Sequence, residues 1–267
     1  MPLAVCATPI GNLDDVTLRV LAELRGADVV LAEDTRHTRG LLERHGIAAR
    51  LLSYHEHNEA QRVAELLPRL AAGERMALVS DAGMPAVSDP GARLVRAALE
   101  AGIDVTVLPG PSAVETALVA SGLAGTRYAF VGFLPRKAAE LEALWRETSA
   151  WECTVVAFES PHRLVPALRS LAAFDPDRDV AVCRELTKRF EEVVRGAAGE
   201  LAARVVEPPK GEITLVVEGG EQGAGDEVAA RAAVDELVSA GAQRRAAART
   251  VGRLVGVAPN RLYRGSL

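Results

Sequence analysis

The sequence predicts an α/β protein built of two α/β domains and a small C-terminal helical segment. Three observations predict it. Short apolar runs with no helical period alternate with longer runs that have one. Most of the short runs end in a Gly/Pro-rich or charged cluster, as strands do when they feed loops at the edge of a sheet. The small, turn-rich stretch Ser121-Gly122-Leu123-Ala124-Gly125-Thr126 divides the pattern, and a flexible stretch from Gly219 to Gly225 divides it again. The expected domains are residues 1–123 and 124–222, with the helical segment over 223–267.

Length and composition limit the function classes. The 267 residues suffice for two modest domains, and 49% hydrophobic with 25% charged residues argues against disorder. A net charge of -5 gives no whole-molecule attraction to nucleic acid, so any polyanion site must be local. Charged residues interrupt every apolar segment short of a membrane span and the N-terminus lacks a basic leader, so a cytoplasmic protein is expected. Cys6, Cys153 and Cys183 lie far apart beside Val or Ala in apparent strands and read as buried thiols.

Leu3 to Thr8 reads as a strand ending in the turn cluster Pro9-Ile10-Gly11-Asn12. Asp14 or Asp15 then caps a helix that carries Leu18, Leu21, Ala22 and Leu24 on one face. Val29 to Ala32 is a second strand. The polar burst Glu33 to Arg39 follows it and reads either as a holder of charged substrate or as a solvated loop, with Thr38 starting the next helix. His55 and His57 have no third ligand at a familiar spacing, so a polar loop before a helix over Gln61 to Ala71 is preferred and no metal is expected.

The chain is organised around Met76 to Ala120, two strand-loop-helix units in tandem. Met76 to Ser80 is a buried strand bounded by Asp81-Ala82-Gly83-Met84-Pro85. Asp89 is the expected N-cap and Pro90 the first residue of a helix that stops at Ala101-Gly102. Ile103 to Leu108 is the next strand. Ser112 and Glu115 form a capping-box pattern for a helix to about Ala120. Parallel strands joined this way place both Gly/Pro loops at one carboxyl edge, where open α/β sheets bind ligands. Asp81 would accept hydrogen bonds from a ligand, and the amides near Ser112 and Ala113 point outward at a helix N-terminus. The alternative, that Asp81 and Ser112 only cap turns, stays open here.

Beyond the boundary, strands are expected at Tyr128 to Leu134, Thr154 to Phe158, Val180 to Cys183, Val193-Val194 and Ile213 to Val217. Clusters of mixed charge adjoin them: Pro135-Arg136-Lys137, Glu159 to Arg163, Arg184 to Arg189 and Pro208 to Glu212. Two helices follow, Val228 to Ala240 and Gln243 to Gly256. From Gln243 onward Arg244, Arg245, Arg249, Arg253, Arg261 and Arg264 accompany Tyr263 with no acidic residue, a local basic patch suited to phosphates and a stacked base, or to capping the domain. Dinucleotide, P-loop, zincin and nucleophile-elbow motifs are missing.

Taken together, the ordered motifs Ala7-Thr8-Pro9-Ile10-Gly11-Asn12-Leu13, Ala32-Glu33-Asp34-Thr35-Arg36, Val79-Ser80-Asp81-Ala82-Gly83, Ser88-Asp89-Pro90-Gly91, Leu108 to Ala113, Phe158 to Arg163, Arg184 to Lys188 and Lys210-Gly211-Glu212 carry a resemblance. The chain resembles the bacterial ribosomal RNA small subunit methyltransferase I family, the 16S rRNA (cytidine 2'-O) methyltransferase branch of the tetrapyrrole methylase superfamily. The resemblance implies a class III, S-adenosylmethionine-dependent enzyme, normally a homodimer, with the cofactor folded between two α/β domains and 16S rRNA in the 30S subunit as substrate. Carried onto this sequence, it implies cofactor contacts at Pro9, Asp81, Met84, Ser112, Ala113, Phe158, Lys210, Glu212 and Thr214. Lys188 and Glu185, then Glu159 and His162, are the candidates to accept or orient the hydroxyl proton. Lys188 leads because a lysine beside a sulfonium is expected to have a lowered pKa. Arg36 and Arg163 are candidate phosphate clamps, and Arg244, Arg249 and Arg253 candidate RNA contacts.

Overall fold

The structure, a computed structural model, describes residues 2–220, 224–255 and 262. Its first half is a parallel sheet of β1 (Leu3–Cys6), β2 (Val29–Ala32), β3 (Leu51–Ser53), β4 (Met76–Val79) and β5 (Val105–Leu108), in the order β3-β2-β4-β1-β5. The apolar runs of β1, β2 and β4 are buried along their whole length, as strands covered on both faces must be. Helices α1 (Leu18–Gly26) and α2 (Thr35–Arg44) cover one face, setting Val20, Leu24 and Leu42 against Ala4, Cys6, Val30 and Ala77. Helices α3 (Glu59–Ala71) and α4 (Ala92–Glu100) cover the other, setting Leu66, Leu70 and Leu94 against Leu3, Val5, Leu31 and Leu78. Each such leucine contributes about 1.5–3 kcal/mol by leaving water.

The second half is a mixed sheet of β6 (Tyr128–Phe133), β7 (Thr154–Glu159), β8 (Asp179–Arg184), β9 (Glu192–Ala197) and β10 (Ile213–Val217), ordered β6-β7-β10-β8-β9. β6 and β7 are parallel and the remaining pairs antiparallel. Because strand side chains alternate, each strand serves two cores. Val155, Ala157, Val182 and Leu215 face α6 (Ala138–Thr148), α7 (Pro161–Phe174) and α8 (Ala198–Arg204) through Leu141, Trp145, Leu164, Leu168 and Leu201. The opposite face, with Val156, Ala181, Cys183 and Val216, receives Ile10 and, from α5 (Ala113–Ser121), Val114, Ala117 and Leu118. So α5 follows a strand of the first sheet yet packs on the second, and it draws the carboxyl edge of the first sheet against the second.

Helices α9 (Ala224–Ser239) and α10 (Arg244–Val255) share a core of Ala230, Val234, Ala247, Ala248, Val251 and Leu262. Arg261, Tyr263 and Arg264 of the expected basic patch lie outside the described residues. Among the described residues, no helix is long and apolar enough to cross a membrane. Cys6 and Cys183 are buried free thiols, whereas Cys153 is only partly buried.

Several helix starts differ from the expected ones. Thr17, not Asp14 or Asp15, caps α1 by accepting from the Val20 amide. Asp34 caps α2 through the Arg36 amide, so that helix begins ahead of Thr38. Neither Asp89 nor Pro90 starts α4. Its N-cap is Gly91 at φ 135°, a backbone angle costly for any residue with a Cβ, and the Gly91 amide donates to the Glu59 carboxylate at 3.1 Å. Ser112 does precede α5, but its hydroxyl donates to the Glu115 carboxylate instead of accepting from a helix amide.

Candidate active site

Where the two sheets meet, the strand-end loops enclose a cavity of about 450 Å³, a size that suits a nucleoside-bearing ligand. From the first half, Ile10, Glu33, Asp81, Gly83, Met84, Val87 to Asp89 and Ser112 to Val114 line it. Phe133, Phe158 to Pro161, Leu186 and Gly211 to Thr214 line it from the second. The loop after β4 is fastened at its start. Thr8 and Gly83 exchange backbone hydrogen bonds of 2.8 and 3.0 Å, and Asp81 Oδ1 accepts from the Asp34 amide at 3.0 Å. Further on, Ala86 (φ 68°) and Ser88 (φ 60°) adopt left-handed backbone that disfavours residues with side chains, a cost that the packed loop sustains. On the opposite wall, Phe158 meets Phe130 and Phe133 edge-on at 4.8 and 5.6 Å, which fixes an aromatic surface toward the cavity.

The cavity is acidic. Its charged lining residues, among those described, are the carboxylates Glu33, Asp81, Asp89, Glu159 and Glu212. Burial, with Asp81 nearby, pushes Glu33 above the usual carboxylate range, although His55 opposes the shift. Asp89 is pushed up to about 7 by burial and by the charges of Glu33 and Asp81, against a hydrogen bond from Ser80. Glu159 is raised by burial, while the Ser160 amide and Arg163 pull the other way. Crowded like charges of this kind favour a cationic ligand. The amides that open α5 have no side-chain cap and stand on the same wall, ready for an anionic group.

Of the residues singled out in the sequence, the cavity brings together Asp81, Met84, Ser112, Ala113, Phe158, Glu159, Glu212 and Thr214. Pro9 is buried beside the lining residue Ile10. Lys210 has an exposed side chain, and its carbonyl accepts from Arg184. His162 is exposed at the start of α7. Glu33, Val87, Ser88 and Asp89 line the cavity without having been singled out as site residues. They stand in strand-end clusters already visible in the sequence, where local turn and cap roles hid them.

Lys188 requires a correction. Its ammonium lies 2.9 Å from both the Glu185 and the Glu212 carboxylates. Burial pushes the ammonium down, but bonds and charges from Glu212 and Glu185 outweigh it and hold the pKa above the ordinary lysine value, opposite to the expected lowering. Glu185 also accepts from the Glu212 amide at 3.0 Å, and this bond, with that from Lys188, depresses its carboxyl. The three residues form a charged clasp between the β8–β9 loop and the approach to β10. The clasp sits beside Gly11, which has no room for a Cβ because Thr187 Oγ1 and Leu186 O would lie 2.7 and 2.9 Å away.

The arginines differ in exposure and in their partners. Arg36 is 87% exposed and pairs with Asp34, the N-cap of its own helix, at 2.7 Å. Arg163 is committed: it pairs with buried Glu159 at 2.6 Å and donates to Leu134 O at 3.1 Å. Arg244 pairs with Asp235 at 2.6 Å and ties α10 to α9. Arg245, Arg249 and Arg253 are exposed at four-residue spacing, a stripe along one face of α10.

Comparison with known proteins agrees with this architecture. The family described as Tetrapyrrole (Corrin/Porphyrin) Methylases matches residues 2–202. A protein of Micromonospora olivasterospora named Ribosomal RNA small subunit methyltransferase I is 45% identical over 98% of this chain and 85% of its own length. One of the same name from Streptococcus pyogenes serotype M1 is 42% identical over 98% and 93%. Among solved structures, uroporphyrin-III C-methyltransferase from Thermus thermophilus, complexed with S-adenosylhomocysteine, superposes with a TM-score of 0.57 at 20% identity, covering 82% of this chain and 97% of that one. That likeness concerns the fold. The chain is a methyltransferase that belongs to the tetrapyrrole methylase family and, within it, to the ribosomal RNA small subunit methyltransferase I family.

Proposed function

We propose that the chain transfers a methyl group from S-adenosylmethionine to the 2'-hydroxyl of a cytidine ribose in the decoding region of 16S rRNA, in the 30S subunit. The observation that carries this reading is the acidic cavity between the sheets. Its five carboxylates suit a ligand with a sulfonium and an ammonium, and the open amides of α5 suit the carboxylate of the same ligand. The aromatic wall at Phe158 and the hydroxyl of Thr214 suit a nucleoside. When bound, the cofactor supplies a methyl group made electrophilic by the positive sulfur. In this reading Asp81, Met84, Ser112, Ala113, Phe158, Glu212 and Thr214 hold it.

A ribose hydroxyl is a weak nucleophile, so alignment and proton removal fall to the protein. Glu185 and protonated Lys188 act as the clasp that positions the Glu212 wall. Glu159, locked to Arg163, shapes the floor. The phosphates of the RNA meet Arg36 and the α10 stripe, outside the acidic cavity, and this separation keeps polyanion and carboxylates apart. The names of the relatives and the stripe support RNA over a tetrapyrrole as acceptor. Exposed Val107 on edge strand β5 and Val119 on α5 support a homodimer, which sedimentation of the purified protein tests.

The deciding experiment supplies methyl-labelled S-adenosylmethionine to 30S subunits that lack the modification, then maps the labelled nucleoside. Label on a cytidine ribose is expected. Label on a base, or no transfer to 30S subunits or free rRNA despite cofactor binding, would overturn the acceptor.

A further inference from the structure

The sequence gives Asp89 a capping role, and the structure removes it. Helix α4 starts at Ala92 behind Gly91, whose amide is taken by Glu59, so the carboxylate of Asp89 is not used at the helix end and lines the cavity instead. The loop holding it has left-handed backbone at Ala86 and Ser88, immediately ahead of it. On the other side, Ser88 reaches toward the second sheet, where a Cβ on Gly132 would lie 3.7 Å from its hydroxyl. Asp89 is therefore presented from one half of the protein into the space that the other half closes.

Three of the other carboxylates of the described lining already have protein partners. Asp81 accepts the Asp34 amide, Glu159 is paired with Arg163, and Glu212 is paired with Lys188 and 71% exposed. Glu33, after β2, faces His55 and acts on Asp89 as a repelling charge. The Cys183 thiol is pushed up to about 11 by burial. His162, Glu185 and Lys188 are absent from the lining.

We propose that Asp89 accepts the proton of the ribose 2'-hydroxyl, a role that rests on the function read above. The proton passes to a carboxylate oxygen, the electron pair left on the 2'-oxygen forms the new bond to the methyl carbon, and the departing sulfur keeps the pair of the bond that breaks. Glu33 and Asp81 from the first sheet and Ser80 at the end of β4 set the affinity of Asp89 for that proton. Its raised position, about 7, makes it ionised often enough to accept and basic enough to retain a proton.

Single-turnover methylation of 30S subunits by the full-length wild type, Asp89→Asn and Asp89→Glu, followed from acid to mildly alkaline pH, tests the role. S-adenosylmethionine affinity is measured by calorimetry, and free-protein carboxyl titration by NMR. The wild-type rate is expected to rise with pH and level off above about 7. Asp89→Asn should lose about 10²–10⁴-fold in rate together with the acid limb, keep cofactor affinity, and lack the carboxyl that titrates near 7. Asp89→Glu should recover part of the rate. A wild-type rate and pH profile in Asp89→Asn would overturn the role, as would equal loss of cofactor affinity in both variants. Wild-type transfer to a base, or to no RNA, would overturn the acceptor reading and this role with it.

Discussion

A carboxylate whose folded-state pKa is raised costs stability wherever it is ionised. For Asp89 the cost is absent below the usual carboxylate range, grows as pH rises toward about 7, and is constant above it. Asp89→Asn should therefore be more stable than the wild type near pH 8, on the order of 1 kcal/mol after allowing for solvent screening, and no more stable near pH 4. Urea unfolding at the two pH values checks this, and equal stabilities at both would deny the strained ionisation. Glu185 has the opposite sign. Its carboxyl is depressed, so the clasp contributes above the usual carboxylate range and loses its contribution as pH falls through the lowered pKa. Lys188→Met should cost about 1 kcal/mol at neutral pH and progressively less in acid, by the same measurement.

At the scale of elements, the strand-end loops meet at Gly11, where the loop after β1 touches the β8–β9 loop and the Asn12 amide donates to Thr187 Oγ1 at 3.0 Å. Gly11→Ala should push the two apart and destabilise by about 1–3 kcal/mol, read as a lower denaturant midpoint. A variant with the wild-type midpoint would mean that the loops yield freely. The same scale shows what was legible in the sequence. β1, β2 and β4 are continuous apolar runs and β10 is one interrupted by Thr214, visible because strands buried on both faces favour apolar side chains. The short β3 and helix α8 are not legible in the sequence, since three residues and seven residues leave little periodicity. At Asp89 the sequence misleads, because Asp-Pro is a strong local start signal. The hydrogen bond from Gly91 to Glu59, distant in sequence, outweighs that signal. Of the cavity, Asp81, Ser112 and Phe158 were legible from strand-end position and resemblance. The direction of the Lys188 titration is not legible, because its partner Glu212 comes close only through the pairing of β8 with β10.

Over the whole molecule, charge is partitioned: carboxylates line the cavity, while exposed arginines run along α10. Replacing Arg245, Arg249 and Arg253 with Ala should leave cofactor affinity intact, weaken RNA binding and flatten its log-log salt slope by about two to three. Arg244→Ala should instead loosen the α9–α10 pair, since its guanidinium belongs to Asp235. An unchanged slope in the triple variant would reassign the stripe. The central claim is that the acidic cavity between the sheets holds the cofactor, and calorimetric titration of S-adenosylmethionine into wild type and Asp81→Asn tests it most directly. The wild type should bind one molecule per chain, and Asp81→Asn at least about tenfold more weakly, about 1.4 kcal/mol, with its fold unchanged by circular dichroism. Equal affinity in both proteins would contradict the claim.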